Sequence, residues 1–320
     1  MAVSGAPACL AALAGMDYLS SADISADQTR ALLDLAACLK QGRSRIDLRG
    51  KILGLIFSKA STRTRVSFTV AMARLGGQTI DLLPIVTQVG RGEPVADTAR
   101  VLSRYCDALA IRTFAQADLE SYAHWATIPV INALTDLEHP CQALADFLTL
   151  QEAFGSSPAD LAGLTLAYVG DGNNVAHSLM LCGALLGVNV RIGCPEGFAP
   201  DPNVLERARA LAKQGAQISV VHDPLEAVRS AQALYTDVWA SMGQEEEQTE
   251  RERAFAGWCL DEALLSEADP RAIVLHCLPA HRGEEISAGV IEGSASRVFD
   301  QAENRLHAQQ ALLATMLGGL

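Results

Sequence analysis

Positive charge is scarce in this sequence. Its 320 residues include 25 lysines and arginines against 37 aspartates and glutamates, which gives a net charge of −12. Because binding to a phosphate backbone requires a basic face, this balance argues against a general nucleic-acid binder. Any site for a small anion must therefore be a local basic pocket in an acidic protein.

Long apolar runs and organised cysteine patterns are also missing. No stretch of about eighteen apolar residues occurs, so we expect no membrane-spanning helix. The eight cysteines are widely spaced without a Cys-x-x-Cys pair, which argues against a zinc ribbon or a thioredoxin-type motif. No His-x-x-x-His pair occurs, and no metal site is predicted. Reduced thiols, and a start that lacks signal-peptide and transit-peptide patterns, lead us to expect a cytoplasmic protein.

Nucleotide-binding patterns are absent or broken. The Gly-x-x-x-x-Gly-Lys loop does not occur. A partial dinucleotide pattern, VGDGNNV, has Gly170 and Gly172 at the first two glycine positions but Val175 at the third. No clear acidic residue closes a following strand at the usual distance, so a nicotinamide site is disfavoured. Asn173 and Asn174 instead predict a helix start that would accept a carboxylate.

Buried strands alternate with helices along the chain. The strand patterns are KILGLIFS, QTIDLLP, DALAIRTF and IPVINAL in the first half, then LTLAYVGDG, VNVRIGCP, AQISVVHD, ALYTDVWAS and AIVLHCLPA. Helical patterns separate them, including the long DLEHPCQALADFLTLQEAFG and the closing ENRLHAQQALLATML. This alternation predicts an α/β fold with two doubly wound parallel-sheet domains, 1–150 and 151–320.

Hydroxyl residues and arginines lie together between the first predicted strand and its helix. The stretch SKASTRTRVSF places Ser61, Thr62 and Thr64 beside Arg63 and Arg65. A helix N-terminus binds anions through its N–H groups and its dipole, and hydroxyls and an arginine strengthen such a site. The cluster therefore favours a small, highly charged anion such as phosphate. The plainer interpretation is a helix cap with two surface arginines.

Further polar residues follow other predicted strands, at the edge where ligands of parallel sheets gather. Arg112 ends the third strand, and Asp237 and Cys277 follow later ones. His139 and Gln142 open the long helix, where an imidazole and an amide on one face can polarise a carbonyl. Plainer interpretations are a capped helix start for that pair and a buried core thiol for Cys277. The stretch GQEEEQTERERAF is interpreted as a solvated loop and helix face.

Together these motifs resemble the aspartate/ornithine carbamoyltransferase family, from about residue 16 to residue 318. The run 61–65 resembles the family's carbamoyl phosphate signature, and HPCQ, residues 139–142, its H-P-x-Q motif. The motifs DVWASMG, residues 237–243, and HCLP, residues 276–279, resemble those of the ornithine branch. The resemblance implies two domains joined by two interdomain helices, with the closing helix, about residues 302–318, packing back on the first domain.

The resemblance also implies a reaction. It is the transfer of the carbamoyl group from carbamoyl phosphate to the δ-amine of L-ornithine, which gives L-citrulline and phosphate without a cofactor or a metal. A transcarbamoylase for another amine acceptor is the alternative. A non-catalytic homologue is opposed by the intact Arg63, Arg112, His139 and Cys277.

By the same resemblance, each motif receives a role. The carbamoyl phosphate site is implied at Ser61, Thr62, Arg63, Thr64, Gln88, Arg112, His139, Gln142, Cys277, Leu278 and Arg305. The ornithine site is implied at Asn174, Asp237, Ser241 and Met242. The implied catalytic residues are Arg112, His139, Gln142, Cys277 and Asp237. Gln88 is expected to reach into the site of a neighbouring copy, so the expected partners are further copies of the chain in a homotrimer or in multiples of trimers, with no nucleic acid and no membrane.

Overall fold

The chain divides into two compact units. A computed structural model describes residues 8–59, 61–83, 88, 92–212, 215–240 and 248–320. The first unit comprises Met1–Leu144 with Arg305–Leu320, and the second comprises Ala145–Asn304. Within the described ranges, no helix is both long enough and apolar enough to cross a membrane.

The first unit is built on a parallel sheet. Its elements are α1 (Ala8–Ala11), α2 (Ala26–Lys40), β1 (Ile52–Phe57), α3 (Thr62–Arg74), β2 (Gln78–Asp81), α4 (Val95–Leu102), β3 (Ala108–Arg112), α5 (Gln116–Trp125) and β4 (Val130–Leu134). The described strands pair in the order β2-β1-β3-β4, all parallel. The central strands β1 and β3 are buried along almost their whole length, as parallel strands usually are. The next helix, α6 (Pro140–Phe154), starts in this unit.

The second unit repeats the plan with more strands. Its elements are β5 (Thr165–Val169), α7 (Asn174–Leu186), β6 (Asn189–Gly193), α8 (Pro202–Leu211), β7 (Ile218–Val221), α9 (Pro224–Val228), β8 (Ala233–Thr236), α10 (Gln248–Ala254), α11 (Glu262–Ser266), β9 (Ile273–His276) and α12 (Ala288–Ile291). The described strands pair in parallel in the order β7-β6-β5-β8-β9. All residues of helix α7 are buried, which agrees with its mostly apolar sequence.

Two helices contain residues of both units. The division falls inside α6 and again inside the closing helix α13 (Val298–Met316), whose residues from Arg305 onward belong to the first unit. The predicted α/β fold, with parallel sheets joined by two helices, is confirmed.

Helix α5 was not predicted from the sequence, and neither were the short helices α1, α9, α11 and α12. Helix α5 lies between β3 and β4, where no helical pattern was assigned. Its buried residues are Leu119 and Tyr122. Two buried positions in ten residues are too few to produce a clear helical period in the sequence.

Candidate active site

The SKASTRTRVSF segment forms a strand end followed by a helix start. Strand β1 ends at Phe57 and α3 begins at Thr62, with Ser61 as its N-cap. The Ser61 hydroxyl accepts a hydrogen bond from the Thr64 amide at 3.3 Å. Thr62 and Arg63 are exposed on the first turn. The N–H groups and the positive dipole end of α3 therefore lie among hydroxyl and guanidinium side chains.

Arg65 differs from Arg63 in its contacts. Its Nε lies 3.2 Å from Asp81 Oδ2, and its guanidinium lies 5.8 Å from the centre of the Phe57 ring. The charged side chains of this pair are 32% and 37% exposed, and such pairs contribute at most about 1 kcal/mol. Arg65 therefore attaches α3 to the sheet, which agrees with its omission from the implied binding set.

Arg305 joins separate segments of the first unit through buried hydrogen bonds. Its guanidinium donates to Thr64 Oγ1 at 2.6 Å, to Gln142 Oε1, and to His139 Nε2 at 3.4 Å. Each of the four side chains has a relative exposure of 3% or less. We call these four residues the Arg305 cluster. The motifs on α3 and α6 thus meet at one arginine of α13.

His139 is uncharged in this cluster. Burial holds its pKa well below the ordinary value, and the positive charges of Arg305 and Arg112 lower it further. Because an arginine side chain only donates hydrogen bonds, His139 Nε2 accepts from Arg305, and the ring hydrogen lies on Nδ1. The imidazole therefore serves as a hydrogen-bonding group and not as another cation. Arg112, at the end of β3, is half-buried.

Gln88 is not part of the Arg305 cluster. It is exposed, and it lines a cavity of about 130 Å³ with Leu82, Glu93 and Thr98. Among the described residues, no hydrogen bond or ion pair connects Gln88 to the cluster.

In the second unit, sheet register brings Asp237 and Cys277 together. Strands β8 and β9 are paired so that Thr236 lies opposite His276. The residues that follow these two strand ends, Asp237 and Cys277, therefore leave the sheet at the same edge. The Cys277 thiol donates to Asp237 Oδ1 at 2.9 Å. Asp237 is buried and Cys277 is half-buried.

Asn173, which the sequence predicted with Asn174 at a carboxylate-accepting helix start but which is not in the implied ornithine site, supplies another contact of Asp237. Its Nδ2 donates to Asp237 Oδ2 at 2.9 Å, and its Oδ1 caps α7 by accepting from the amides of Val175 and Ala176 at 2.9 and 3.2 Å. We call Asn173, Asp237 and Cys277 the Asp237 cluster. Asn174, the first residue of α7, is 9% exposed. The carboxylate expected at this helix start is thus partly supplied by the protein itself.

Tyr168 supports Asn173 from the sheet. Its hydroxyl donates to Asn173 Oδ1 at 3.3 Å. Burial raises the pKa of Tyr168 well above its ordinary value, and the charges of Asp237 and Asp171 raise it further. The phenol therefore stays protonated and remains a donor.

Packing explains the partial glycine pattern after β5. A Cβ at Gly172 would lie 2.2 Å from the backbone nitrogen of Pro200, so the glycine permits a close approach of two loops.

Asp171 pairs with Arg251 of α10 at 2.7 Å, and Arg251 also donates to the Trp239 carbonyl. Arg251 is 6% exposed, so the prediction of a solvated stretch is wrong at this residue. Its charge is satisfied by a carboxylate distant in sequence, which local composition does not indicate.

Asp237, His276 and Cys277 bring potential ligand atoms within 4.8 Å of one another. Both ring nitrogens of His276 have protein partners, the Leu278 amide at 2.9 Å and the Glu285 carboxylate at 3.0 Å. Hydrogen bonds within the protein therefore occupy both ring nitrogens of His276, and the Cys277 thiol donates to Asp237. Ser241 and Met242, the other implied ornithine contacts, lie outside the described residues.

Family models match nearly the whole chain. The one described as "Aspartate/ornithine carbamoyltransferase, carbamoyl-P binding domain" matches residues 16–152. The one described as "Aspartate/ornithine carbamoyltransferase, Asp/Orn binding domain" matches residues 162–316.

Individual relatives and solved structures agree with these matches. A curated protein of Parasynechococcus marenigrum (strain WH8102), named ornithine carbamoyltransferase, is 76% identical and covers 100% of this chain and 99% of its own length. The crystal structure of ornithine carbamoyltransferase from Gloeobacter violaceus has a TM-score of 0.86 and 57% identity, over 94% of this chain and 98% of that one. The ornithine carbamoyltransferase from Pyrococcus furiosus has a TM-score of 0.91 and 48% identity, over 96% and 99%.

Proposed function

The chain belongs to the aspartate/ornithine carbamoyltransferase family and acts as an ornithine carbamoyltransferase, and we propose how its residues share that reaction. In this proposal the first unit binds carbamoyl phosphate and the second binds L-ornithine. The observation that carries the proposal is the Arg305 cluster. It combines a buried guanidinium, an uncharged imidazole and an amide with the start of α3.

The phosphate of carbamoyl phosphate is assigned to the start of α3. Backbone N–H groups and the dipole of this helix favour an anion, and the Ser61, Thr62 and Thr64 hydroxyls add donors. Arg63 and Arg112 add charge-assisted hydrogen bonds. Exposure of Arg63 on the first turn supports this role, since its guanidinium is accessible to a ligand.

The carbamoyl oxygen is assigned to Arg112, His139 and Gln142. Negative charge grows on this oxygen as the carbonyl carbon becomes tetrahedral, and fixed donors stabilise that charge without reorganising. Contact with Arg305 supports the role, because it fixes His139 and Gln142 before any ligand binds. Most of the acceleration then comes from positioning and electrostatics.

The nucleophile is the δ-amine of ornithine itself, so no covalent enzyme intermediate is needed. An alkyl amine of this type has a pKa of about 10.4 in solution and must lose a proton before it attacks. Cys277 and Asp237 are assigned to the surroundings of this amine, and the departing phosphate can accept the proton. The amino-acid end is assigned to Asn174, Asp237, Ser241 and Met242.

The active sites are proposed to be shared between copies of the chain in a homotrimer. Gln88 is the residue that we assign to the site of a neighbouring copy, and its exposure agrees with that role. A closed ring with a head-to-tail interface gives every site one home chain and one donor chain. We also propose a cytoplasmic location, which the eight free cysteines support.

An amine panel tests the acceptor assignment. Purified protein is given carbamoyl phosphate with L-ornithine, putrescine, N-acetylornithine or L-aspartate, and products are identified by mass spectrometry. We expect kcat/KM for ornithine to exceed that for any other amine by at least about 10²-fold. Preference for a different amine would overturn the acceptor assignment. Carbamoyl phosphate binding without any product would overturn the catalytic one.

A further inference from the structure

His276, the last residue of β9, is bonded at both ring nitrogens. Its Nδ1 accepts from the Leu278 amide at 2.9 Å, and its Nε2 lies 3.0 Å from Glu285 Oε1. Because a backbone N–H only donates, Nδ1 carries no hydrogen, and the Nε2–H group donates to Glu285. The side chains of His276 and Glu285 are both 0% exposed. The ring is therefore held in one tautomer and one orientation.

The amide that His276 holds belongs to a residue with an unusual backbone. Leu278 has a φ of 60°, in the left-handed region that residues with side chains seldom occupy. Such a conformation persists where surrounding contacts enforce it. The hydrogen bond from Leu278 to the His276 ring is one such contact, and it spans Cys277.

The chain is also fixed on the other side of Cys277. The backbone amide of His276 donates to Gln301 Oε1 at 2.9 Å, and Gln301 Nε2 donates to Asp146 Oδ1 at 2.6 Å. Gln301 and Asp146 are both 0% exposed. Buried side chains thus bind the backbone amides of the residues before and after Cys277, whose thiol donates to Asp237.

We propose that His276 is a positioning residue for the transfer reaction. Through the Leu278 amide it sets the direction of the Cys277 thiol and the backbone of Leu278, and Glu285 keeps the ring in the required tautomer. The inference rests on the proposed function, because it takes Cys277 and Leu278 as active-site residues. A histidine with a purely structural role would fill its space in the core and form hydrogen bonds at both ring nitrogens, and its replacement would affect stability and not the orientation of Cys277.

Two exchanges at His276 separate these roles. In His276→Asn, the amide oxygen takes the place of Nδ1 and can still accept from the Leu278 N–H, as asparagine does two residues ahead of an amide in an Asx turn. In His276→Gln, the terminal amide takes the place of Nε2 and can still donate to Glu285, but nothing replaces Nδ1. Each variant thus retains one hydrogen bond and loses the other. Glu284→Gln, at a more exposed neighbouring residue, is the matched control.

Kinetics give the first measurement. We expect His276→Gln to lower kcat/KM for ornithine by about 10²-fold, because Cys277 and Leu278 lose the contact that holds them in place. We expect His276→Asn to remain within about tenfold of the wild type, because it keeps the bond to Leu278. Glu284→Gln should match the wild type. Equal losses in the Asn and Gln variants, in proportion to their losses in stability against urea, would make His276 a core residue only.

Alkylation of Cys277 gives a measurement that does not depend on turnover. Iodoacetamide labelling is followed by peptide mass spectrometry, with the buried Cys141 and Cys182 as internal standards for global opening. We expect His276→Gln to change the rate at Cys277 by on the order of tenfold through local release, with Cys141 and Cys182 unchanged. Parallel changes at all three cysteines, or equal Cys277 rates in both variants, would overturn the inference. If the wild type did not carbamoylate ornithine, the proposed function would fail, and the labelling result would still decide the role of His276.

Discussion

Both units bring candidate site residues together near the ends of parallel strands and the starts of helices, yet the charges at these places are opposite. The Arg305 cluster holds a buried cation beside an uncharged imidazole. The Asp237 cluster holds a buried carboxylate that accepts from a thiol and an amide. The two units therefore share a plan of strands and helices, and they differ in the charge of the side chains that they bring together at the strand ends.

The helix starts differ in the same sense. In α3, the Ser61 hydroxyl accepts from the Thr64 amide at 3.3 Å, and an exposed arginine stands on the first turn. In α7, Asn173 accepts from two amides and donates to Asp237. A helix start capped by an amide that already binds a carboxylate is less suited to a phosphate. This difference between the two helix starts supports α3 as the binding place of the phosphate.

The largest effect is expected at the phosphate side. We predict that Arg63→Ala lowers kcat/KM by about 10²–10³-fold, because a charged donor to the transferring group is removed. Steady-state kinetics and direct carbamoyl phosphate binding measure the change. Arg65→Ala, two residues away, is the matched control, and it should have little effect because its exposed ion pair contributes at most about 1 kcal/mol to stability. Wild-type kinetics in Arg63→Ala would exclude the phosphate assignment.

A smaller effect, confined to the other substrate, is expected at the acceptor side. We predict that Cys277→Ser lowers kcat/KM for ornithine by between about tenfold and 10²-fold, because the shorter hydroxyl shifts the group that contacts Asp237. Carbamoyl phosphate affinity should stay within a few-fold, and the pH profile for ornithine should change. Loss of carbamoyl phosphate affinity with intact ornithine use would assign Cys277 to the phosphate side instead.

The uncharged state of His139 predicts a dependence of stability on pH. Its pKa in the folded protein lies well below 6.5, so the unfolded chain takes up a proton below about pH 6.5 that the folded protein does not. The free energy of unfolding should therefore fall with decreasing pH, by up to about 1.4 kcal/mol per pH unit from this residue. The free energy of unfolding is measured by urea titration at several pH values between 5 and 7.5. Plotted against pH, it should have a shallower slope in His139→Asn than in the wild type. The matched control is His281→Asn, at an exposed histidine. Equal slopes in His139→Asn and the wild type would contradict a neutral His139.

Periodicity and spacing were sufficient for the sheets. The strand patterns predicted a parallel α/β fold, because short apolar runs separated by helices have few other solutions. Two motifs that resembled a family signature were recognisable because strand ends and helix starts are local features, but their meeting at Arg305 was not indicated by either motif. Helix α5 was missed because it buries Leu119 and Tyr122 and little else of its sequence shows a period.

Contacts between distant residues were not predictable in the same way. The Asn173–Asp237 bond follows from which strands are neighbours in the sheet, and the Arg251–Asp171 pair from where α10 lies. His276 belongs to the HCLP motif, but nothing in that motif indicates that Glu285 is its hydrogen-bond partner in the core. These partners depend on strand order and register, which one sequence does not reveal.

Arg63 and Gln88 of the same chain are assigned to different sites: Arg63 to the chain's own site, and Gln88 to the site of a neighbouring copy. A chain with Gln88→Ala lacks the part that we assign to a neighbouring site, and a chain with Arg63→Ala lacks a part of its own site. Each homotrimer should be badly impaired. When the two are mixed equally under exchange conditions, about one site in four should combine an intact Arg63 from one chain with an intact Gln88 from its neighbour, on random assembly around a ring.

Activity of the mixture should therefore rise to about a quarter of the wild-type value per site, well above either parent. Mass spectrometry verifies subunit exchange, and Arg63→Ala mixed with Arg65→Ala is the control in which both substitutions lie in the same home segment. In that control, the sites with a working home segment are those already active in the Arg65→Ala parent, so mixing creates no new ones. If exchange occurs and the Gln88 mixture does not gain activity, Gln88 acts within its own chain or outside the reaction, and the sites are not shared through this residue.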